Sequence, residues 1–354
     1  MIVATRPTSS SLRPGIACAL IGLFALNLGC RHQESRDWEK TTTQQPVAHS
    51  VRQISGLPYR DKVPHQTKAN RLDLYLPEDK HDFPVVVLVH GGAWVSGDNR
   101  GFGLVSGVAH LLASQGIGVV VPNYRLSPAV KHPEHIHDVA QAVAWTRKNC
   151  AEYGGDPSNL FLMGHSAGGH LVSLLATDPY YLEGAGLHST DLRGVISVSG
   201  VYRLPNGKMD LALGGTSGRS FRLDELAPLR SEGRWFANVM SAVPQIPLKL
   251  DFFSPMFGDD PEVRWNASPI NHIRHGLPPF LIIHAGKRDL PDLADGAREF
   301  HWYLRSADNE AEIIEMPNRN HNSVFFAANQ KNDPTARAVS QFIQAHSRSN
   351  SASE

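Results

Sequence analysis

The chain has 354 residues with 34 Lys+Arg against 34 Asp+Glu, so its formal net charge is zero. That balance supplies neither the basic face of a nucleic-acid binder nor an acidic tail. With 41% hydrophobic residues it can bury a large core, as two domains or as one α/β domain, and of its three cysteines only Cys150 lies outside the N-terminal segment, which excludes a disulfide within the folded part.

Residues 1–30 read as a targeting segment. Arg6 and Arg13 precede an apolar run over 15–28, interrupted by Asn27 and closed by Gly29-Cys30. The run is short for a membrane span. Its Gly-Cys end resembles a bacterial lipobox, so the expectation is export with Cys30 lipidated as a membrane anchor, and the alternatives are a cleaved secreted or periplasmic soluble form and an uncleaved membrane anchor. Residues 31–50 are polar and read as a tether, 51–346 as the globular domain, and 347–354 as a polar tail.

Residues 71–76 alternate as an early strand should. Residues 85–89 are apolar and mostly β-branched, which suits a strand covered on both faces. A helix is predicted over 105–113, a strand over 118–121 stopped by Pro122, and a helix over 135–149. Strands follow at 160–163, 195–198, 280–283 and 312–316, with helices at 293–304 and 336–345. Alternating strands and helices predict a mostly parallel central sheet with helices on both faces. Residues 201–265 break the rhythm. They carry Trp235-Phe236, Phe252-Phe253 and Met256-Phe257 among glycines and prolines, and are expected to form a cap inserted over the site.

The strand at 160–163 runs into Gly164-His165-Ser166-Ala167-Gly168 and then into a helical pattern. Strand, G-x-S-x-G and helix make the context of a nucleophile elbow, with Ser166 held clear on a sharp turn. Ligands in open α/β sheets lie beyond the C-terminal strand ends, so the polar groups there matter most. Gly91 and Gly92 follow the strand at 85–89, and with Ala167 can turn N–H groups toward an oxyanion. Trp94 and His165 stand beside these groups as candidate substrate contacts. Asp289, on the loop after 280–283, is the favoured carboxylate to orient an imidazole; Asp292 is its alternative and also reads as a helix N-cap. Among 18 histidines, His321 is singled out by place, after the strand at 312–316, and it completes the order Ser, Asp, His. The cluster His132-Pro133-Glu134-His135-Ile136-His137-Asp138 lacks the spacing that sets two imidazoles on one helix face with a catalytic Glu, so it reads as a helix entry and not as a metal site.

Residues 70–346 resemble the α/β-hydrolase superfamily, in particular the esterase/lipase branch that holds hormone-sensitive-lipase-like, feruloyl-esterase-like and kynurenine-formamidase-like proteins. The resemblance is carried by His90-Gly91-Gly92-Ala93-Trp94, Asn123-Tyr124-Arg125-Leu126, Tyr153-Gly154-Gly155-Asp156-Pro157, Gly164–His170 and Ala267-Ser268-Pro269. Ala93 replaces the third glycine of the usual His-Gly-Gly-Gly, and the long segment before Asn266 is a second departure. The resemblance implies an α/β-hydrolase fold and a serine ester hydrolase that needs no cofactor, acting on a small-molecule or polysaccharide-linked ester. An amidase, formamidase or peptidase on the same fold, and a binding module without catalysis, are the alternatives.

Overall fold

The computed structural model describes residues 48–60, 68–205, 209–211, 248–290 and 292–348. The targeting segment with Cys18 and Cys30, most of the tether, Trp235-Phe236 and the last residues of the tail lie outside the described residues.

Eight strands form one sheet: β1 (Val51–Pro58), β2 (Arg71–Pro77), β3 (Phe83–Val89), β4 (Gly118–Pro122), β5 (Gly155–His165), β6 (Leu192–Val198), β9 (Phe280–His284) and β10 (Ala311–Glu315), in the order β1-β2-β4-β3-β5-β6-β9-β10. β1 and β2 are antiparallel to each other, as are β2 and β4; every other pair is parallel. A two-stranded antiparallel pair, β7 (Met209–Leu211) and β8 (Leu248–Leu250), stands apart.

The apolar runs were long because both faces of the sheet are covered. Val85, Val87 and Val89 of β3 pack in one core cluster, and Val86 and Leu88 in the other. Phe280 and Ile282 of β9 divide from Leu281 and Ile283 in the same way, as the period of two in a strand requires. The first face is covered by α2 (Glu134–Asn149), α3 (Ala167–Thr177), α4 (Pro179–Gly184) and α7 (Leu293–Ser306). The second is covered by α1 (Leu104–Ser114), α8 (Ser323–Phe326) and α9 (Pro334–His346).

Both ends of the described domain are tied down: the His49 N–H donates to the Ser114 carbonyl at 2.8 Å and its ring pairs with Asp79 at 2.7 Å. At the far end the Arg348 N–H donates to Asn159 Oδ1 at 2.7 Å. Within the insertion, α5 (Ser254–Phe257) and α6 (Pro261–Asn266) were not predicted. Phe253, Met256 and Phe257 are core residues, so this part of the insertion is built into the domain. Arg264, 1% exposed, joins the two sides of the insertion: Nη1 donates to the Pro205 carbonyl at 2.8 Å and Nη2 to Asp251 Oδ2 at 2.5 Å.

Candidate active site

The elbow forms because β5 and α3 meet almost backbone to backbone. A Cβ on Gly164 would sit 2.3 Å from the carbonyl group of Gly168, and one on Gly168 would sit 2.1 Å from the Val89 carbonyl oxygen of β3. Only glycine permits that approach. Between them Ser166 is forced to φ 55° and ψ −117°, a strained backbone worth roughly 1–3 kcal/mol that the packed elements must hold. Its N–H donates to the Val198 carbonyl of β6 at 2.9 Å, which fixes the turn to the neighbouring strand.

Four neighbouring strand ends bring the polar groups together. The Ser166 hydroxyl donates to His321 Nε2 at 2.9 Å, and His321 Nδ1–H donates to Asp289 Oδ1 at 2.7 Å. Ser166 follows β5, Asp289 follows β9, and His321 sits between β10 and α8. From the end of β6, the Ser199 hydroxyl donates to Asp289 Oδ2 at 2.5 Å. The same carboxylate accepts the Ala285 N–H at 3.0 Å and the Leu290 N–H at 2.9 Å. Burial raises the Asp289 pKa; the His321 hydrogen bond and charge, with the Ser199 and Ala285 bonds, outweigh it and hold the carboxyl down to about 2. Ser199 was absent from the sequence-based candidates. Its only signal is Ser-Gly at a strand end, which means nothing until β6 is known to lie beside β9.

Asp292 does not compete for His321. It holds the N-cap position of α7, but with φ 63° and no side-chain cap bond. The left-handed backbone presents its carbonyl to the Gly296 N–H at 2.8 Å, and the carboxylate stays exposed. The expectation of a side-chain cap is therefore corrected.

The loop after β3 lies against the elbow. A Cβ on Gly91 would meet the His165 carbonyl oxygen at 2.9 Å and Ser166 Cβ at 3.2 Å. Gly92 has φ 113°, and a Cβ there would run into the Ser96 carbonyl at 2.1 Å. Among the described residues no hydrogen bond is made by the N–H of Gly91 or of Gly92. The loop is held from behind by Asn123-Tyr124-Arg125. Asn123 Oδ1 accepts the Asn99 N–H at 2.7 Å, the Tyr124 hydroxyl donates to the His90 carbonyl at 3.1 Å, and Arg125 is locked to the buried Asp138.

Two expected substrate contacts lie behind the surface. Trp94 is 1% exposed and packs edge-on against His170 and Phe257, at 5.1 and 5.0 Å between ring centroids. His165 is 4% exposed, and its Nε2–H donates to the main-chain carbonyl of His321 at 2.8 Å. Each is walled in by the aromatic rings that flank it, which sequence position alone does not reveal. The residues of the His132–Asp138 stretch go to separate structural partners. His132 pairs with the Tyr181 hydroxyl at 3.1 Å, His135 with the Ser127 hydroxyl at 3.0 Å, and Asp138 with Arg60 and Arg125. Cys150 is buried and free, and burial pushes its thiol up to about 11, so it holds no thiolate at neutral pH.

Residues 72–201 match the BD-FAE family model. The chain is 31% identical over 315 residues to the esterase LipC of Mycobacterium tuberculosis, a match covering 87% of this chain and 70% of LipC. It belongs to the esterase branch of the α/β-hydrolase superfamily. LipM of the same organism, named a probable carboxylic ester hydrolase, is 30% identical to this esterase over 290 residues, 78% of the chain and 58% of LipM. The chain thus spans little more than half of that relative. A truncated carbohydrate esterase from gut microbiota shares the fold with a TM-score of 0.63 at 18% identity, covering 85% of this chain and 98% of that one. Carboxylic-ester hydrolysis is the activity that goes with this membership.

Proposed function

We propose that this esterase cleaves carboxylic esters through an acyl-enzyme on Ser166, with His321 as general base and Asp289 as the group that orients it. The observation that carries the reading is the unbroken relay from Ser166 Oγ to His321 Nε2 at 2.9 Å and from His321 Nδ1 to Asp289 at 2.7 Å. As Ser166 attacks the ester carbonyl, His321 Nε2 takes its proton and Asp289 stabilises the imidazolium without itself being protonated. The carbonyl oxygen, now negative, is received by the N–H groups of Gly91, Gly92 and Ala167, where Ala167 opens helix α3 and adds the positive end of its dipole. Collapse of the tetrahedral species expels the alcohol with the proton from His321. Water then attacks the acyl-enzyme with His321 as base again, releasing acid and free Ser166. No residue beyond these is required to balance the protons.

A fluorophosphonate tests the reading directly: the wild-type protein should take up one label, mapped to the peptide holding Ser166, and Ser166→Ala should take up none. Labelling of another serine would overturn the assignment. The class of ester is a small molecule or an ester carried on a polysaccharide, and hydrolysis of short and long p-nitrophenyl esters, acetylated xylan and feruloyl esters ranks them. We further propose export and attachment through a lipidated Cys30, on the strength of the apolar run closed by Gly29-Cys30. Mass spectrometry of the mature N-terminus decides it, and an unmodified N-terminus downstream of Cys30 would leave simple secretion.

A further inference from the structure

His165 precedes the nucleophile and is buried between the glycine loop, His321 and α8. Its main-chain carbonyl and Nδ1 lie 2.9 and 3.2 Å from where a Cβ on Gly91 would be, so it fits against the glycine loop. Its Nε2 bonds the main-chain carbonyl of His321 at 2.8 Å, linking the residue before the nucleophile to the base 156 positions away. Its ring stacks on Phe325 with centroids 4.9 Å apart and planes 7° from parallel, and meets Phe326 edge-on at 5.5 Å. Phe325 and Phe326 belong to α8, the short helix that begins two residues after His321. A single imidazole therefore grips the base's loop by its carbonyl and by the helix that closes it.

The chemistry of the ring follows from those contacts. A carbonyl only accepts, so the hydrogen must be on Nε2. Burial above all, together with the charge of His321, pushes this imidazole down to about 3, so it stays neutral across the working range. A neutral ring with a fixed Nε2–H is a rigid strut. Elsewhere in this loop the Asn320 N–H donates to Ser323 Oγ at 2.8 Å and Arg319 pairs with Asp333 beside α9. The bond from His165 crosses to the strand that carries Ser166.

We propose that His165 is a positioning residue that sets the distance between His321 Nε2 and Ser166 Oγ, acting through the His321 carbonyl and α8. The inference rests on the reading of Ser166 and His321 as nucleophile and base. Misplacing a reacting group by about 1 Å costs about 100-fold in rate, so loss of the strut should appear in kcat and leave KM nearly unchanged.

The test uses the full chain with a short p-nitrophenyl ester, with active sites counted by fluorophosphonate. His165→Phe keeps the stacking and removes the donor; His165→Asn keeps an amide that is too short to reach. Each should lose about 100-fold in kcat per active site with KM within about twofold. His165→Gln places its amide nitrogen near the position of Nε2 and should recover most of that loss. Wild-type kcat in the Phe or the Asn variant would overturn the proposal, as would a Gln variant no better than Phe. If the Phe variant fails to fold, the contrast between Asn and Gln carries the test. Ser166→Ala runs beside them: activity retained there would sink the underlying reading, whereas activity lost there and kept in the Phe variant would sink the role of His165 alone.

Discussion

Two groups of imidazoles lie within one domain and do opposite things. At the strand ends, His321 has a hydroxyl on one nitrogen and an ionised carboxylate on the other. Behind the glycine loop, His132 and His170 form a wall with Trp94 and Phe257, His135 stands edge-on to Tyr124, and each of the three imidazoles uses one nitrogen. His170 Nε2 bonds the Ala267 carbonyl at 2.7 Å. The Nδ1 atoms of all three and Nε1 of Trp94 are buried without a hydrogen-bond partner among the described residues. Desolvation, with like charge from neighbouring imidazoles, holds His132 and His135 at about 3 and His170 at about 4. Burial alone makes an imidazole inert; a carboxylate on its far nitrogen makes it a base that can hold a proton when one arrives.

The largest expected effect breaks the first group outright. Ser166→Ala should cut kcat by about 10⁶ while thermal unfolding stays close to wild type, since the strained turn is built by the glycines around it. Activity within tenfold of wild type would refute the site.

Removing the feature that distinguishes the groups comes next. Asp289→Asn keeps size but lets the wrong tautomer of His321 form, and about 10⁴ in kcat should go with it. Turnover of the purified variant, at matched folded fraction, measures this.

Acid sharpens the comparison through stability. His90, His132, His135, His165 and His170 have folded values of about 3 to 4 against 6.5 ordinarily, desolvation being the leading cause in each. Below pH 6.5 the unfolded chain takes up protons that the folded chain refuses, so stability falls from about pH 6.5 toward 4 and these rings cost nothing above pH 7. Each contributes at most roughly 1.4 kcal/mol per pH unit. Asp289 works in a lower window: held at about 2 against 3.8, it stabilises the fold above pH 4, and that contribution is lost as pH falls through about 2. Urea unfolding at pH 7, 6 and 5 should show the midpoint dropping over this range, and a flat midpoint would mean the wall histidines accept protons in place.

The smallest effect belongs to the carboxylate left outside both groups. Asp292→Ala should leave turnover within about twofold and stability within about 0.5 kcal/mol, because the side chain is exposed and caps nothing. A loss of turnover approaching that of Asp289→Asn would reverse the assignment.

What could be read from the chain was whatever repeats locally. The buried strands announced themselves as β-branched runs, and the elbow by strand, G-x-S-x-G and helix in succession. Asp289 and His321 were found by position after strands, and the structure joins them to Ser166. Strand β1 was missed because it sits at an edge, half exposed and bulged between Ile54 and Leu57, so it lacks a clean alternation. Helices α5 and α6 are four and six residues long, under the two turns an apolar pattern needs before it can repeat. Ser199, and the true surroundings of Trp94 and His165, depend on which strands and rings become neighbours. That is a property of the sheet order, and no window of sequence contains it.

The two rims of the sheet have a consequence for how the molecule keeps to itself. A parallel sheet ends in rows of unused N–H and C=O groups, and a second copy is the nearest thing able to pair with them. Strand β10 is five residues long and carries Glu312 and Glu315, so a like strand approaching it brings acid against acid. Strand β1 carries Arg52, its bulge, and Pro58 at its end, which offers no N–H to a newcomer. Among the described residues, then, charge guards one border of the eight-stranded sheet and irregular backbone the other.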